Sequence, residues 1–155
     1  ARSKLAIPQL AKVIALLPGS RQQELAYIAK PMLEACALLQ AKMPDLCFVA
    51  PMVNDKLYQT FLTYVKQYAP LLSIKVIQGE SDLALAAADC GLIKSGTSTL
   101  QAMLLSLPQV VVFKVNKLNE LIVRCLVKTR FVALPNILAG QEIVPELLQQ
   151  KATPE

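Results

Sequence analysis

Short, solidly apolar runs alternate along the chain with stretches in which apolar residues recur at helical spacing. Five of these runs are predicted strands, at residues 13–17, 46–50, 73–77, 90–93 and 109–113. Strands that alternate with helices form right-handed crossover units, and uniformly apolar strands are typical of parallel sheets covered on both faces. With a short sixth strand expected at residues 131–134, the pattern predicts an α/β fold, a doubly wound and mostly parallel sheet of about six strands with helices on both faces.

Three prolines fall where the periodicity places regular structure. Pro31 lies inside the helical pattern of residues 25–39 and should kink or split that helix. Pro51 is expected to close the second strand. Pro145 suits the first turn of a helix, so a last helix is predicted at residues 146–150.

The length of 155 residues suits one domain with a single sizeable core, and 54% hydrophobic residues make the chain too apolar for disorder. Residues 1–11 are predicted to be a lead-in segment, and residues 12–155 the domain itself. The start at Ala1 lacks an initiator Met and signal-peptide features, so we expect the edge of a piece excised from a larger protein. No uncharged apolar run approaches the ~20 residues that a transmembrane helix needs.

The cysteine pattern favours a reducing compartment. The four cysteines are widely spaced, form no C-x-x-C pair and sit in apolar stretches, so we expect buried free thiols in a cytoplasmic protein. They are Cys36, Cys47, Cys90 and Cys125. Histidine is absent from the sequence and no close pair of ligands exists, so neither a metal site nor a cofactor is predicted.

The net charge of +5 is concentrated in one region. Residues 91–130 hold six basic residues against one acid, so this region accounts for the whole net charge. Within it, Lys117, Arg124 and Lys128 fall on one helical face, because offsets of seven and eleven residues return to the same angle. Such a basic stripe can rest on an anionic membrane surface, or it can be an ordinary solvated face. A nucleic-acid partner is not expected, since only 5% of the residues are aromatic.

Ligands of open α/β sheets bind beyond the carboxyl ends of the strands, which makes the loops there the candidate site. After the first strand, Gly19 permits a tight turn and Ser20 can cap the next helix. Arg21 then lies near a helix N-terminus and can hold a phosphate with two parallel hydrogen bonds. The alternative is an ordinary strand-to-helix turn with a solvated Arg21.

A second loop follows the fourth strand and combines Lys94, Ser95, Gly96 and Thr97 with two further hydroxyls. Backbone N–H groups and hydroxyls of this kind can cradle a diphosphate. The spacing is neither that of a Walker loop nor that of a dinucleotide fingerprint. Plain helix capping by Ser95 or Thr97 is the alternative.

A third loop, residues 135–142, carries Asn136 and Glu142, whose side chains can contact sugar or ribose hydroxyls. The alternative is a turn with an Asx cap. No pair of nucleophile and base is visible in the sequence. The loop acids Glu80, Asp82 and Asp89 are of the kind that is usually solvated or capping, so no catalytic residue is predicted in this chain.

These loops, in this order and spacing, resemble the lipid-A-disaccharide synthases, a family of GT-B type glycosyltransferases. The resemblance covers nearly the whole chain from about Val13, and its most specific part is the last of four segments. The segments are Leu-Leu-Pro-Gly-Ser-Arg at 16–21 with Glu24, Ser-Gly-Thr at 95–97 with Leu100, Leu-Val-Lys-Thr at 126–129, and Leu-Pro-Asn-Ile-Leu-Ala-Gly at 134–140, followed by Glu142 and Glu-Leu-Leu-Gln at 146–149. The resemblance implies a Rossmann-like GT-B half-domain.

The resemblance also implies a reaction of lipopolysaccharide synthesis. A 2,3-diacylglucosamine unit would pass from its UDP donor to 2,3-diacylglucosamine 1-phosphate, giving UDP and lipid A disaccharide 1-phosphate. By this resemblance Arg21 faces the phosphates, residues 95–97 the diphosphate, and Asn136 lines the donor site. The lipid acceptor and the catalytic base would belong to an N-terminal half that this chain lacks, so the chain should bind UDP without turnover.

Two positions depart from the family pattern. Gln101 stands where the family usually has a Glu that binds ribose hydroxyls, and Gln141 where it often has Arg. Gln101 keeps an acceptor oxygen but loses the charge, which should weaken those hydrogen bonds. A non-catalytic nucleotide-binding or partner-binding paralogue and half of a UDP-sugar epimerase therefore stay open as alternatives. So do a homo-oligomer and a peripheral position on the inner face of the inner membrane.

Overall fold

The computed structural model of the chain describes residues 1–115 and 130–154, and these form a sheet flanked by helices. The strands are β1 (Val13–Leu17), β2 (Cys47–Met52), β3 (Ile74–Gln78), β4 (Cys90–Lys94), β5 (Gln109–Phe113) and β6 (Glu146–Leu148). The helices are α1 (Gln22–Lys42), α2 (Asp55–Tyr68), α3 (Ser81–Ala87), α4 (Ser98–Leu104) and α5 (Leu134–Ala139), with a 3-10 turn at Gln149–Lys151. The predicted alternation of strand and helix is confirmed.

The strands form one sheet in the order β3-β2-β1-β4-β5-β6, and each pair of neighbours is parallel. The chain winds outward from β1 to β3, crosses back, and winds outward again from β4. Ile14 of β1 is therefore registered with Phe48 of β2 on one side and with Cys90 of β4 on the other. The order reverses between β1 and β4, which opens a crevice at the carboxyl ends of these two strands. The predicted doubly wound sheet is confirmed.

Each face of the sheet carries its own apolar core, because successive side chains of a strand point to opposite faces. Leu16 of β1 belongs to the core formed with β2, α1 and α2, in which Leu25, Ile28, Phe48 and Phe61 are fully buried. Its neighbours Ala15 and Leu17 face the other side, together with Leu85 of α3 and Ile93 of β4. A central strand buried on both sides must be apolar at every position, which explains the solid runs in the sequence.

The lead-in segment packs against the domain. Leu5 and Ile7 are buried in the core on the α3 side of the sheet. Arg2 donates two hydrogen bonds of 2.9 Å to the carboxylate of Asp89, which also accepts the N–H of Val13 at 2.8 Å. Asp89 therefore ties the lead-in to the starts of β1 and β4.

The sixth strand is not where the sequence placed it. Residues 131–134 were expected to form it, but α5 begins at Leu134 with Pro135 in its first turn and ends at Gly140, which has a φ of 67°. The strand is Glu146–Leu148, the segment for which a last helix was predicted, and Leu147 is registered with Val112 of β5. Pairing with the open edge of β5 outweighs the local helical signal, because it satisfies backbone groups that would otherwise lack partners.

Neither Pro31 nor Pro51 ends the helix or strand in which it lies. Pro31 does not split the first helix, since α1 runs unbroken from Gln22 to Lys42 and Pro31 is buried within it. The burial of the apolar stripe of α1 outweighs the lost backbone hydrogen bond. Pro51 does not close the second strand. It lies inside β2 opposite Ile77 of β3, beyond the last β2 residue that is registered with β1. Proline is tolerated in a strand where one side has no ladder to complete.

Among the described residues, no helix combines the length and the apolar character needed to cross a bilayer. Cys36 is buried, and burial raises the pKa of its thiol to about 12, while the free thiols of Cys47 and Cys90 are half-buried. Cys125 and the predicted basic stripe of Lys117, Arg124 and Lys128 lie outside the described residues.

Candidate functional site

A cavity of about 430 Å³ opens at the crevice between the carboxyl ends of β1 and β4. Seven residues predicted for the site line this cavity together. They are Gly19, Ser20 and Arg21 from the loop after β1, and Ser95, Gly96, Thr97 and Gln101 from the loop after β4 and from α4. Its wall also includes Glu24, Lys94 and Ser81. The topology thus joins two loops that lie far apart in the sequence.

Both the backbone conformation at position 19 and the closeness of the Glu24 side chain require a glycine there. Its φ of 118° lies in a region that other residues rarely adopt. A Cβ at this position would also lie 2.6 Å from Oε2 and 2.9 Å from Cβ of Glu24. The turn after β1 therefore brings the backbone directly against the Glu24 side chain.

The carboxylate of Glu24 holds the two loops together. Oε2 accepts the N–H of Ser20 at 3.0 Å and that of Arg21 at 3.2 Å, while Oε1 accepts a hydrogen bond from Nζ of Lys94 at 2.8 Å. The side chains of Lys94 and Glu24 are only 19% and 18% exposed. An ion pair shielded in this way is stronger and less screened by salt than one at the open surface.

The contacts of Glu24 also govern its protonation. Partial burial raises the pKa of this carboxyl. The hydrogen bond and charge of Lys94, with the N–H groups of Ser20 and Arg21, outweigh that effect, and the pKa of Glu24 lies below its ordinary value of 4.5. Glu24 is therefore ionised at neutral pH. Arg21, by contrast, is exposed at the cavity mouth.

The loop after β4 is fixed by its own hydrogen bonds. Ser95 donates its N–H to Val112 at 2.9 Å and its hydroxyl to the carbonyl of Val132 at 2.7 Å. Thr99 donates its hydroxyl to the carbonyl of Gly96 at 2.6 Å. Thr97 is exposed at the cavity. These bonds fix Ser95 and the carbonyl of Gly96 in place, and Ser95, Gly96 and Thr97 all line the cavity.

Gln101 reaches across the cavity rim to α3. Its Nε2 donates to Oδ1 of Asp82 at 3.2 Å. The amide group at this position therefore has a carboxylate as its immediate neighbour, which the sequence did not indicate.

Asn136 and Glu142 are not among the residues that line the cavity. Asn136 is 0% exposed, and its Nδ2 donates to the carbonyl of Val144 at 2.9 Å and to Oε1 of Glu146 at 2.8 Å. Its Oδ1 accepts the N–H groups of Ile143 and Val144 at 2.8 and 2.9 Å. The amide thus joins α5 to the segment that leads into β6. Glu142 is exposed.

A second cavity of about 360 Å³ adjoins the first. It shares Arg21, Glu24 and Lys94 with the first cavity and extends towards Tyr27 and Lys114. Within the part of the chain that the structure describes, no cluster of three acidic or cysteine side chains could hold a metal ion.

The ion pair of Glu24 and Lys94 was not predicted, although two signals pointed to it. Glu24 stands three residues after Arg21, the residue that precedes α1, and this is the spacing at which a capping-box carboxylate reaches back to the backbone. Lys94 is a charged residue at the end of an otherwise apolar strand, so it emerges at the carboxyl edge of the sheet.

Comparison with known proteins gives one family. A sequence model described as lipid-A-disaccharide synthetase matches residues 1–155. The lipid-A-disaccharide synthase of Aeromonas hydrophila is 42% identical to this chain over 154 residues, which cover 99% of the chain and 41% of that protein. The enzyme of the same name from Aliivibrio fischeri is 43% identical over 155 residues, covering 100% of the chain and 40% of that protein. The chain thus spans about two fifths of these relatives.

Solved structures share the fold at low sequence identity. The Escherichia coli ADP-heptose lipopolysaccharide heptosyltransferase II aligns over 99% of this chain and 46% of its own length, with a TM-score of 0.58 and 14% identity. A UDP-GlcNAc 2-epimerase from Neisseria meningitidis, bound to UDP-GlcNAc, aligns over 90% of this chain and 39% of its own length, with a TM-score of 0.56 and 18% identity. This likeness supports a Rossmann-like α/β fold of the kind found in glycosyltransferases and epimerases.

Proposed function

Because the chain belongs to the lipid-A-disaccharide synthetase family, we propose that it is the donor-binding domain of a glycosyltransferase and holds a UDP-linked acylated glucosamine. The observation that carries this proposal is the cavity at the carboxyl ends of β1 and β4, which Arg21, Ser95 and Thr97 line. Open α/β sheets bind ligands at this point.

In the proposed complex the diphosphate lies between the two loops. Arg21 donates from its guanidinium to the phosphate oxygens, and the N–H groups of Gly96 and Thr97 and the hydroxyl of Thr97 face the same anion. Ser95 instead fixes the loop through its bonds to Val112 and Val132. Gln101 contacts the ribose from α4. Asn136 and Glu142 stay predictions as donor contacts, and the buried bonds of Asn136 support an indirect role in holding the segment before β6.

The proposed reaction belongs to the longer protein. The anomeric carbon of the 2,3-diacylglucosamine leaves the β-phosphate oxygen of UDP and bonds to a hydroxyl oxygen of 2,3-diacylglucosamine 1-phosphate. The hydroxyl proton passes to a base, and UDP departs with the electrons of the broken bond. We place the base and the lipid-acceptor site in the remaining three fifths of the relatives' length, so this chain alone should bind UDP without forming disaccharide.

Calorimetric titration with UDP tests the donor assignment. We expect the chain to bind UDP and Arg21→Ala to weaken binding about tenfold or more, because hydrogen bonds to charged groups are worth ~1.5–3 kcal/mol. Lys30→Ala, at an exposed position of α1 away from the cavity, is the matched control and should bind as the unaltered chain does. Absence of UDP binding would reject the assignment and favour a partner-binding paralogue.

We infer a second candidate function from the sequence. If Lys117, Arg124 and Lys128 form the predicted basic stripe, this stripe would bind peripherally to an anionic membrane, which would suit lipid substrates. Reversal of the three charges in the full-length enzyme should reduce its binding to vesicles that contain anionic phospholipid. Unchanged vesicle binding would reject this proposal and leave the donor site unaffected.

A further inference from the structure

One of the side chains that line the cavity is negatively charged. Among the described residues that line it, the cations are Arg21 and Lys94, and the one acidic residue is Glu24. Glu24 is in direct contact with Lys94 at 2.8 Å and cancels its charge. The described lining therefore presents a net charge of one positive unit, with Arg21 as the unpaired cation.

Such a balance is unexpected for a site that only has to bind phosphate as tightly as possible. A second unpaired cation would attract any diphosphate more strongly. The two ligands of a transfer reaction, however, differ in charge. A sugar-linked nucleoside diphosphate carries one negative charge on each phosphate. The free nucleoside diphosphate carries a further charge on its terminal phosphate, whose second pKa is about 6.

We propose that Glu24 sets the charge of this cavity and thereby limits its preference for the free nucleoside diphosphate over the sugar-linked donor. This inference rests on the proposed function, because it assumes that both ligands occupy the same cavity. Because the ammonium group of Lys94 is paired with Glu24, it is not available to bind the terminal phosphate. The product is then held only by the contacts that it shares with the donor, which favours its release.

Geometry gives Glu24 two separable tasks. Its Oε2 holds the N–H groups of Ser20 and Arg21, and its charge neutralises Lys94. Glu24→Gln retains a carbonyl oxygen for the N–H groups but removes the charge. Lys94→Met removes the cation and leaves the carboxylate. The double variant restores the original net charge without the ion pair.

The test is a calorimetric titration of the chain and these three variants with UDP and with UDP-N-acetylglucosamine, at a pH of about 7.5, where the terminal phosphate of UDP is largely dianionic. We expect Glu24→Gln to raise the affinity for UDP about fivefold to tenfold relative to UDP-N-acetylglucosamine, and Lys94→Met to change that ratio in the opposite direction. In the double variant the ratio should return to within about twofold of the original.

A purely structural role of the ion pair predicts a different result. All three variants would then weaken the binding of both ligands by the same factor. An unchanged ratio of the affinity for UDP to that for UDP-N-acetylglucosamine would overturn the proposal. If Glu24→Gln does not fold, Lys94→Met alone tests the proposal, because it must lower the affinity for UDP more than the affinity for UDP-N-acetylglucosamine. Glu34→Gln, which breaks the exposed pair of Lys30 and Glu34 on α1, is the matched control and should leave the ratio unchanged.

A titration with inorganic pyrophosphate distinguishes failure of this inference from failure of the proposed function. If the unaltered chain binds neither nucleotide, the donor assignment fails. The charge role of Glu24 is then decided by pyrophosphate, whose affinity must rise in Glu24→Gln and fall in Lys94→Met. Equal affinities in all four proteins, or no binding by any of them, would reject the charge role as well.

Discussion

Gly19 and Glu24 depend on each other at the residue scale. The positive φ of Gly19 turns the chain so that its Cα lies against the Glu24 side chain, and the Glu24 carboxylate in turn holds the next two N–H groups. A change at either position therefore disturbs the same loop, which is the loop that carries Arg21.

Gly19→Ala should destabilise the protein by about 2–4 kcal/mol and weaken UDP binding, because it combines a strained backbone with a clash against Glu24. Gly140→Ala is the matched control. Its φ is also positive, at 67°, but a Cβ there meets no atom within 4 Å, so it should cost only ~1–2 kcal/mol and leave UDP binding unchanged. Chemical denaturation and calorimetry measure the two effects, and equal losses of stability would contradict the clash.

The lowered pKa of Glu24 predicts how stability depends on pH. A carboxyl whose pKa is lower in the folded than in the unfolded protein stabilises the fold above its ordinary pKa, and this contribution is lost as the pH falls through the folded value. The difference in unfolding free energy between the unaltered chain and Glu24→Gln should thus be constant at neutral pH and shrink below pH 4.5. Urea denaturation over an acid series measures it, and a difference that is independent of pH would contradict the assigned contacts.

The contact of Gln101 with Asp82 changes what is expected from restoring the family's usual Glu. Gln101→Glu would place two carboxylates at a contact that now measures 3.2 Å, and their repulsion opposes binding of the ribose. We expect no tightening of UDP binding by Gln101→Glu alone, but about threefold to tenfold tightening when Asp82→Asn is added. Equal tightening by the single and the double variant in calorimetry would show that Asp82 is irrelevant to this position.

At the scale of elements, the sequence predicted best where burial alone decides the structure. The bounds of β1 and β5 were predicted correctly, because a strand covered on both faces must be apolar throughout. The segment from residue 131 to 148 was predicted wrongly, because side-chain bonds fix its path. Glu146 accepts the N–H groups of Val132 and Ala133, and Asn136 bonds to residues 143, 144 and 146. These bonds join residues 7 to 14 positions apart through side chains, and they leave no periodic signal.

The same distinction applies to the candidate site. Gly19, Arg21 and residues 95–97 were recognisable from their residue types at the ends of strands, and the topology brings them into one cavity. The pairing of Glu24 with Lys94 depends on which strands are neighbours in the sheet, and no local pattern specifies that order.

Asn136→Ala tests the importance of its buried amide for the joining of α5 to β6. Two N–H groups, the carbonyl of Val144 and one carboxylate oxygen would each lose a bond, so we expect a cost of about 2–4 kcal/mol in denaturation experiments. Asn54→Ala, which removes the single N-cap bond to Leu57, should cost only ~1 kcal/mol and serves as the control. A loss of UDP affinity in folded Asn136→Ala without a loss of stability would instead favour direct contact with the donor.

On the scale of the whole molecule, the lead-in is part of the folding unit. Leu5 is buried on the α3 side of the sheet, whereas Leu10 in the same segment is 99% exposed. The first residues of the chain thus help to cover the face of the sheet on which α3 lies.

Leu5→Ala should therefore lower the unfolding free energy by about 2–4 kcal/mol, as expected when a core leucine is truncated. Leu10→Ala is the control from the same segment and should change it by less than ~0.5 kcal/mol. Thermal and urea denaturation measure both, and a neutral Leu5→Ala would show that the lead-in is dispensable.

The reversal of strand order between β1 and β4 also has a kinetic consequence. Glu24 and Lys94 both line the cavity and are 70 residues apart in sequence. The cavity therefore cannot form until β1 and β4 have paired and joined the two halves of the sheet. Contacts between distant parts of a chain generally form late, because they must first overcome the entropy of closing a long loop. During refolding, competence to bind nucleotide should accordingly appear with the final cooperative step and not with the earliest helices. Any ligand that binds only the assembled cavity will then slow the opening of the entire sheet.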